Sequence, residues 1–199
     1  VVGAASGGLS VTRRSRTLTF IGERNMKKTL LASVMFLAFA SPAARAQAPA
    51  PNDAQIAAIV VTANQVDIDA GKLAQSVSAN SEVKEFAQRM VTDHSGVNIA
   101  ATELVTKLKV KPEENPTSKS LKSSGDDTLK RLKGLKGAAF DKAYVENEVS
   151  YHQTVLDAVD KTLIPSAKNE ELKALLVKVR PAFVAHLAHA KHLQSSLKK

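Results

Sequence analysis

The chain has no cysteine and no tryptophan, and only two tyrosines and six phenylalanines among its 199 residues. Without cysteine there is no disulfide, no thiolate nucleophile and no thiolate metal ligand. The fold must rest on its apolar core, which a chain of this length can supply. Aromatic and β-branched residues are sparse, while Ala, Leu, Lys and Glu are common, which favours helix over sheet. The glycines are scattered, so no Gly-rich loop can cradle a phosphate. There is no Gly-x-Ser-x-Gly elbow, and no serine lies one turn from His152 on its helical seam. Nucleophilic catalysis therefore finds no support.

A run long enough to cross a bilayer is also missing. The longest apolar stretch covers residues 29–40, whereas a spanning helix needs about 20 apolar residues. Lys27 and Lys28 precede this stretch, Ser41-Pro42 ends it, and Ala44-Arg45-Ala46 offers small residues where a signal peptidase reads. A cleaved signal peptide over residues 26–46 is expected, with cleavage before Gln47 or, alternatively, after Ala48. The expectation is an exported, periplasmic protein. An uncleaved N-terminal anchor holding the chain to the envelope is the alternative. No cysteine follows the run, so a lipoprotein anchor is excluded. Residues 1–25 are polar and aperiodic. They are expected to be an extension upstream of a true start at Met26, or else an unusually long n-region.

The net charge of +9 is concentrated at the start of the chain. Residues 1–46 hold seven basic side chains and one acidic, leaving +3 for the remainder. The high pI is thus no footprint of nucleic-acid binding.

After a Pro-rich lead-in at residues 47–52, residues 53–199 carry helical periodicity. Apolar residues recur at alternating intervals of three and four in Ile56, Ile59, Ala63, Val66, Ala70, Leu73 and Val77. Asp53 is the expected cap of this first helix. A second helix is expected from a Ser81 cap through Val83, Phe86, Met90, Val97, Ala101, Leu104 and Leu108, ending before Pro112. A long, poorly patterned connection follows over residues 111–137, where Asp126-Asp127 is expected to cap a short helix running to about Lys133. A further helix starts near Ala138, carries Val145, Val149, His152, Leu156, Val159 and Leu163, and is expected to stop at Pro165. The last starts near Asn169 and carries Leu172, Leu176, Val179, Phe183, His186, Ala190, Leu193 and Leu197, with Pro181 inside it. Two short connections and one long one predict an all-α four-helix bundle with a single crossover, which is ferritin-like connectivity.

The apolar seams are interrupted by polar groups. His152 has Glu148 one turn before it and Tyr144 one turn before that. His186 sits on its own seam, with His189 one turn on. Asp93-His94 interrupts the second helix, and Asp67 lies beside the seam of the first. Each of these is near the middle of its helix, and midpoints share a level in a bundle. One polar layer at half height is therefore expected. Asp67, Asp93, His94, Glu148, His152, His186 and His189 are the candidate ligands, with Fe, Zn, Mn or Cu the metals suited to imidazole and carboxylate donors. The competing expectation is a hydrogen-bond network that binds no metal. His192 drifts off the seam and is expected at the surface, and the Lys130-Arg131, Lys133, Lys136 run is expected to be a solvated face.

A set of short motifs occurs in order along the chain: Phe86-Ala-Gln-Arg-Met90 followed by Asp93-His94 and Asn98, then Phe140-Asp141, Tyr144 and His152, then Pro181 and His186-Leu187. From about Asp53 to Leu197 the chain resembles the exported bacterial family catalogued as domain of unknown function 4142. The resemblance implies a ferritin-like bundle and an exported protein, and no established activity. A ferritin di-iron site uses Glu-x-x-His on two helices. The residues three before His94, His152 and His186 are Val91, Val149 and Phe183, so that motif is missing. Three readings remain: a non-catalytic exported protein with a protein partner or an envelope-stress role, a metal-binding or metal-dependent redox protein, and a small-molecule binder. The last would need a void beside the polar layer.

Overall fold

The computed structural model describes residues 49–198. The expectations for the signal peptide and the upstream extension lie outside the described residues. Those that are described form helices and short connections, with no strand among them.

Helix α1 (Asp53–Val77) begins at Asn52, whose side chain accepts the Gln55 N–H at 2.9 Å while the Gln55 side chain accepts the Asn52 N–H at 3.2 Å. This reciprocal box satisfies two N–H groups that every helix start leaves free. Asp53 is therefore not the cap. Its carboxylate instead accepts the backbone N–H groups of Lys168 and Asn169, at 2.9 and 3.1 Å, and ties a distant connection to the start of α1. Helix α2 (Ser81–Lys107) is capped by Asn80 rather than Ser81. Both corrections follow from an Asn one position earlier, which caps at least as well.

The long connection is a larger correction. It contains α3 (Pro116–Lys133), a full 18-residue helix. Asn115 caps it, accepting the N–H groups of Thr117 and Ser118 at 3.1 Å, and Pro116 occupies the first turn, where no N–H is needed. Asp126 and Asp127 lie inside it and cap nothing. Helix α4 (Gly137–Ala158) opens on a left-handed Gly137 (φ +55°), a conformation open to glycine at little cost. Pro165 does not stop this helix. The backbone widens into a π-turn (Val159–Leu163), where the Ile164 N–H bonds the Val159 carbonyl, and continues as α5 (Ile164–Ser166). Proline removes an N–H from the helical ladder, and a wider turn accommodates the loss. Helix α6 (Glu170–Ser196) is capped by Asn169 and retains Pro181 in its interior.

Helices α1 and α2 pair as one hairpin and α4 and α6 as another. Helix α3 runs alongside α1 in the same direction. The Asn115 side chain donates to the Gln55 carbonyl at 3.1 Å, Gly125 meets Val66, and Leu132 packs with Ala70 and Ala74. It thereby returns the chain to the end where α2 began, so α4 runs parallel to α2.

The interior is apolar at both ends. Ala74, Val83, Phe86, Met90, Leu132, Phe140, Tyr144 and Leu193 fill one end. Ile56, Ile59, Ala101, Val159, Leu163, Leu172 and Leu176 fill the other. Between them α1, α2, α4 and α6 bring buried Asn64, Asp67, His94, Glu148, His152 and His186 to one level, with Leu156, Phe183 and Leu187 alongside. Among the described residues no helix is long and apolar enough to cross a membrane.

Candidate metal centre

The layer is built from five side chains on four helices: Asp67 on α1, His94 on α2, Glu148 and His152 on α4, and His186 on α6. None is more than 2% exposed, so their polar atoms are shielded from bulk solvent. The rings of His94, His152 and His186 form a near-equilateral triangle, with centroids 5.5, 5.3 and 5.4 Å apart. Each ring offers a nitrogen within 4.8 Å of those offered by the other two, and Asp67, Glu148 and His152 form a second such triad that shares His152.

Every imidazole is held from behind. His94 Nδ1 lies 2.7 Å from Asn64 Oδ1, and Asn64 Nδ2 donates in turn to Asn98 Oδ1 at 3.1 Å. His152 Nδ1 lies 3.0 Å from the Glu148 carbonyl oxygen. His186 Nε2 lies 2.8 Å from Asp93 Oδ2. All three of these neighbours are acceptors, which assigns a proton to the rear nitrogen of each ring and, on His152 and His186, leaves a lone pair on the other. Those other nitrogens, His94 Nε2, His152 Nε2 and His186 Nδ1, have no hydrogen-bond partner. Neither do both oxygens of Asp67 or Glu148 Oε2. Asp67 Oδ2 approaches His94 Nε2 to 2.7 Å and His152 Nε2 to 3.5 Å. The closer approach makes His94 and Asp67 an ion pair across the layer, while His152 Nε2 stays beyond hydrogen-bond reach of a well-placed partner.

The protonation states follow from burial and neighbours. Burial alone would raise the Asp67 carboxyl, but His94, with help from His152, outweighs it and holds the group at about 2. Glu148 is driven well above the usual carboxylate range by burial and then by the charge of Asp67. Burial pushes His152 down to about 4, against the pull of Asp67. His186 is also lowered by burial, with Asp93 opposing. The metal-free layer therefore holds one carboxylate, one carboxylic acid and neutral imidazoles on α4 and α6. Nitrogen and oxygen donors of this kind suit Zn, Fe, Mn or Cu.

A model of the family described as a domain of unknown function (DUF4142) matches residues 38–193. The chain belongs to this family. No curated protein and no solved structure matches it.

In this DUF4142 chain the structure brings together five of the seven candidate ligands. Asp93 is displaced outward, its side chain 42% exposed, and serves as the acceptor behind His186. His189 belongs to neither triad. It is half-buried and packs edge-on against Phe86, with centroids 5.1 Å apart. His192 is exposed, as expected. Sequence reasoning missed Asn64, whose only signal was its position one turn before Asp67. It also missed Tyr151, whose hydroxyl donates to the Ala63 carbonyl at 2.7 Å. Tyr144 adds a buried hydroxyl with no partner, its ionisation raised well above the usual tyrosine range by burial and by Glu148.

Proposed function

We propose that this protein holds a single transition-metal ion at the middle of its bundle, with His94, His152 and His186 as nitrogen ligands and Asp67 and Glu148 as oxygen donors. One observation carries the reading. Three buried imidazoles from three helices each have one nitrogen anchored and the other turned inward, where His152 Nε2 and His186 Nδ1 have no hydrogen-bond partner and His94 Nε2 meets only Asp67 Oδ2 at 2.7 Å. A plain hydrogen-bond network would pair those inner atoms, because each buried polar atom left unpaired costs about 1–3 kcal/mol. Metal-binding histidines have the same division of labour, with the outer N–H fixed by a carboxylate, carbonyl or amide.

A divalent ion here is balanced by Asp67 and by Glu148 once it releases its proton. The chain is read as an exported, periplasmic protein on the pattern of residues 26–46, and its role as metal binding rather than catalysis. Use in electron transfer would require Fe, Mn or Cu, since Zn has no accessible redox chemistry. The second reading, a metal-free network in a non-catalytic bundle, draws on the chain of contacts from His94 through Asn64 and Asn98.

Metal analysis of protein purified without a histidine tag separates the two. About one ion per chain is expected, lost in His152→Ala and in His186→Ala while the helical signal persists. Failure of the unaltered protein to take up Zn, Fe, Mn or Cu in competition with a weak chelator overturns the proposal.

A further inference from the structure

A cavity of about 610 Å³ lies beside the polar layer and is lined in part by Asn64 and His94. Its walls are mainly apolar and include Ile59, Val155, Val159, Leu176, Val179 and Phe183. The inner wall is made by His94 and Phe183, whose rings are nearly parallel at 8° with centroids 5.2 Å apart. The π-turn forms much of the rim, contributing Lys161, Thr162 and Leu163. The volume falls within the range of small-molecule sites, about 300–1,000 Å³.

We infer that this cavity is a binding site for an uncharged, largely hydrocarbon or aromatic small molecule, seated against the outer side of the His94–Phe183 pair. The polar groups in the wall specify little else. Tyr151 donates to the Ala63 carbonyl, Thr154 donates to the Ser150 carbonyl, and both ends of the Asn64 amide are engaged. These three side chains leave a ligand no donor in need of a partner, and the remaining polar lining consists of the uncharged hydroxyls of Thr117, Thr162 and Ser166 and the Lys161 ammonium. The lining has no acidic residue, and its one cation, Lys161, is exposed and paired with Asp157 at 3.0 Å. Nothing inside would offset the desolvation of a charged ligand. Covering the apolar wall is therefore the main driving force, and it selects for shape and hydrophobicity. The inference does not depend on the metal.

The test is titration of the purified protein with the neutral dye N-phenyl-1-naphthylamine. Ala63 and Ala158 both line the cavity and are only half-buried, so a larger side chain at either grows into the void. Saturable binding of one dye per chain is expected, weakened roughly tenfold or more in Ala63→Phe and in Ala158→Phe. Absence of saturable binding, or undiminished binding in both filled variants, overturns the inference. Methyl resonances of the unaltered protein give a reading free of any variant. Dye must shift Val155 and Val179 and leave Val83 and Val145, at the opposite apolar end, unmoved. The reverse pattern also overturns it. Metal content, measured in parallel, tests the metal proposal separately.

Discussion

At the residue scale, the aim of each imidazole matters more than its presence. His186 is fixed by Asp93, which stands partly in water and touches only the outer nitrogen. Asp93→Asn should weaken metal affinity by about 10–100-fold without removing a ligand, as other outer partners of metal-bound histidines do. Asn64→Ala should act alike through His94. Competition against a chelator of known affinity checks both, and an effect below twofold would mean that packing alone sets the rings. The asymmetry between what sequence revealed and what it hid also begins here. Charged and imidazole groups interrupting an apolar seam are visible because they break a pattern. Asn64 is uncharged and small enough to pass for an ordinary polar position, so its role emerged only once His94 was found 2.7 Å away.

At the scale of elements, four long helices were legible because each repeats its apolar residues at helical spacing over many turns. Helix α3 was not, for a physical reason. Its first half is rich in Ser and Lys with a single leucine, and its intrinsic preference for helix is weak. Packing against α1 supplies what propensity does not, through Leu121, Gly125, Leu129 and Leu132 on one stripe. Gly125 is the point of closest approach, where an added Cβ would lie 2.7 Å from a Val66 methyl. Gly125→Ala should therefore destabilise the protein by about 1–3 kcal/mol, although alanine is the better helix former. Chemical denaturation measures this. A stabilised variant would mean that α3 does not sit tightly on α1. Pro165 misled in the opposite way. The sequence rule that proline ends a helix holds for α-helical geometry, and the chain escaped it by changing the turn.

For the molecule as a whole, the layer couples folding to pH and to metal. Glu148 keeps its proton in the metal-free fold but loses it in the unfolded chain above about 4.5. Folding then retains a proton that the unfolded state gives up, so stability falls as pH rises. His152 works the other way: held at about 4 against 6.5 unfolded, it makes stability fall as pH drops through that interval. The two oppose each other between about 4.5 and 6.5. From 6.5 to about 10 the Glu148 effect remains, and above 10 the buried Tyr144 and Tyr151, both raised, add to it. Thermal midpoints of metal-free protein should decline from pH 6.5 upward, and Glu148→Gln should abolish the slope below about 10. An unchanged slope in that variant would assign it elsewhere. Metal bound at a thousand times its dissociation constant should raise stability by about 4 kcal/mol, read as a higher thermal midpoint.

The belt of polar atoms at mid-height has one more consequence. It parts the oily interior into two compartments, joined at mid-height through Leu156, Phe183 and Leu187, so damage in one should be only partly transmitted to the other. Phe86→Ala, fully buried at one end, ought to loosen amide protons there by about 3–5 kcal/mol while those around Ile56 and Leu176 stay slow to exchange. A bundle insulated in this way can let one half drift in sequence, or breathe to admit a guest, without unsettling the other.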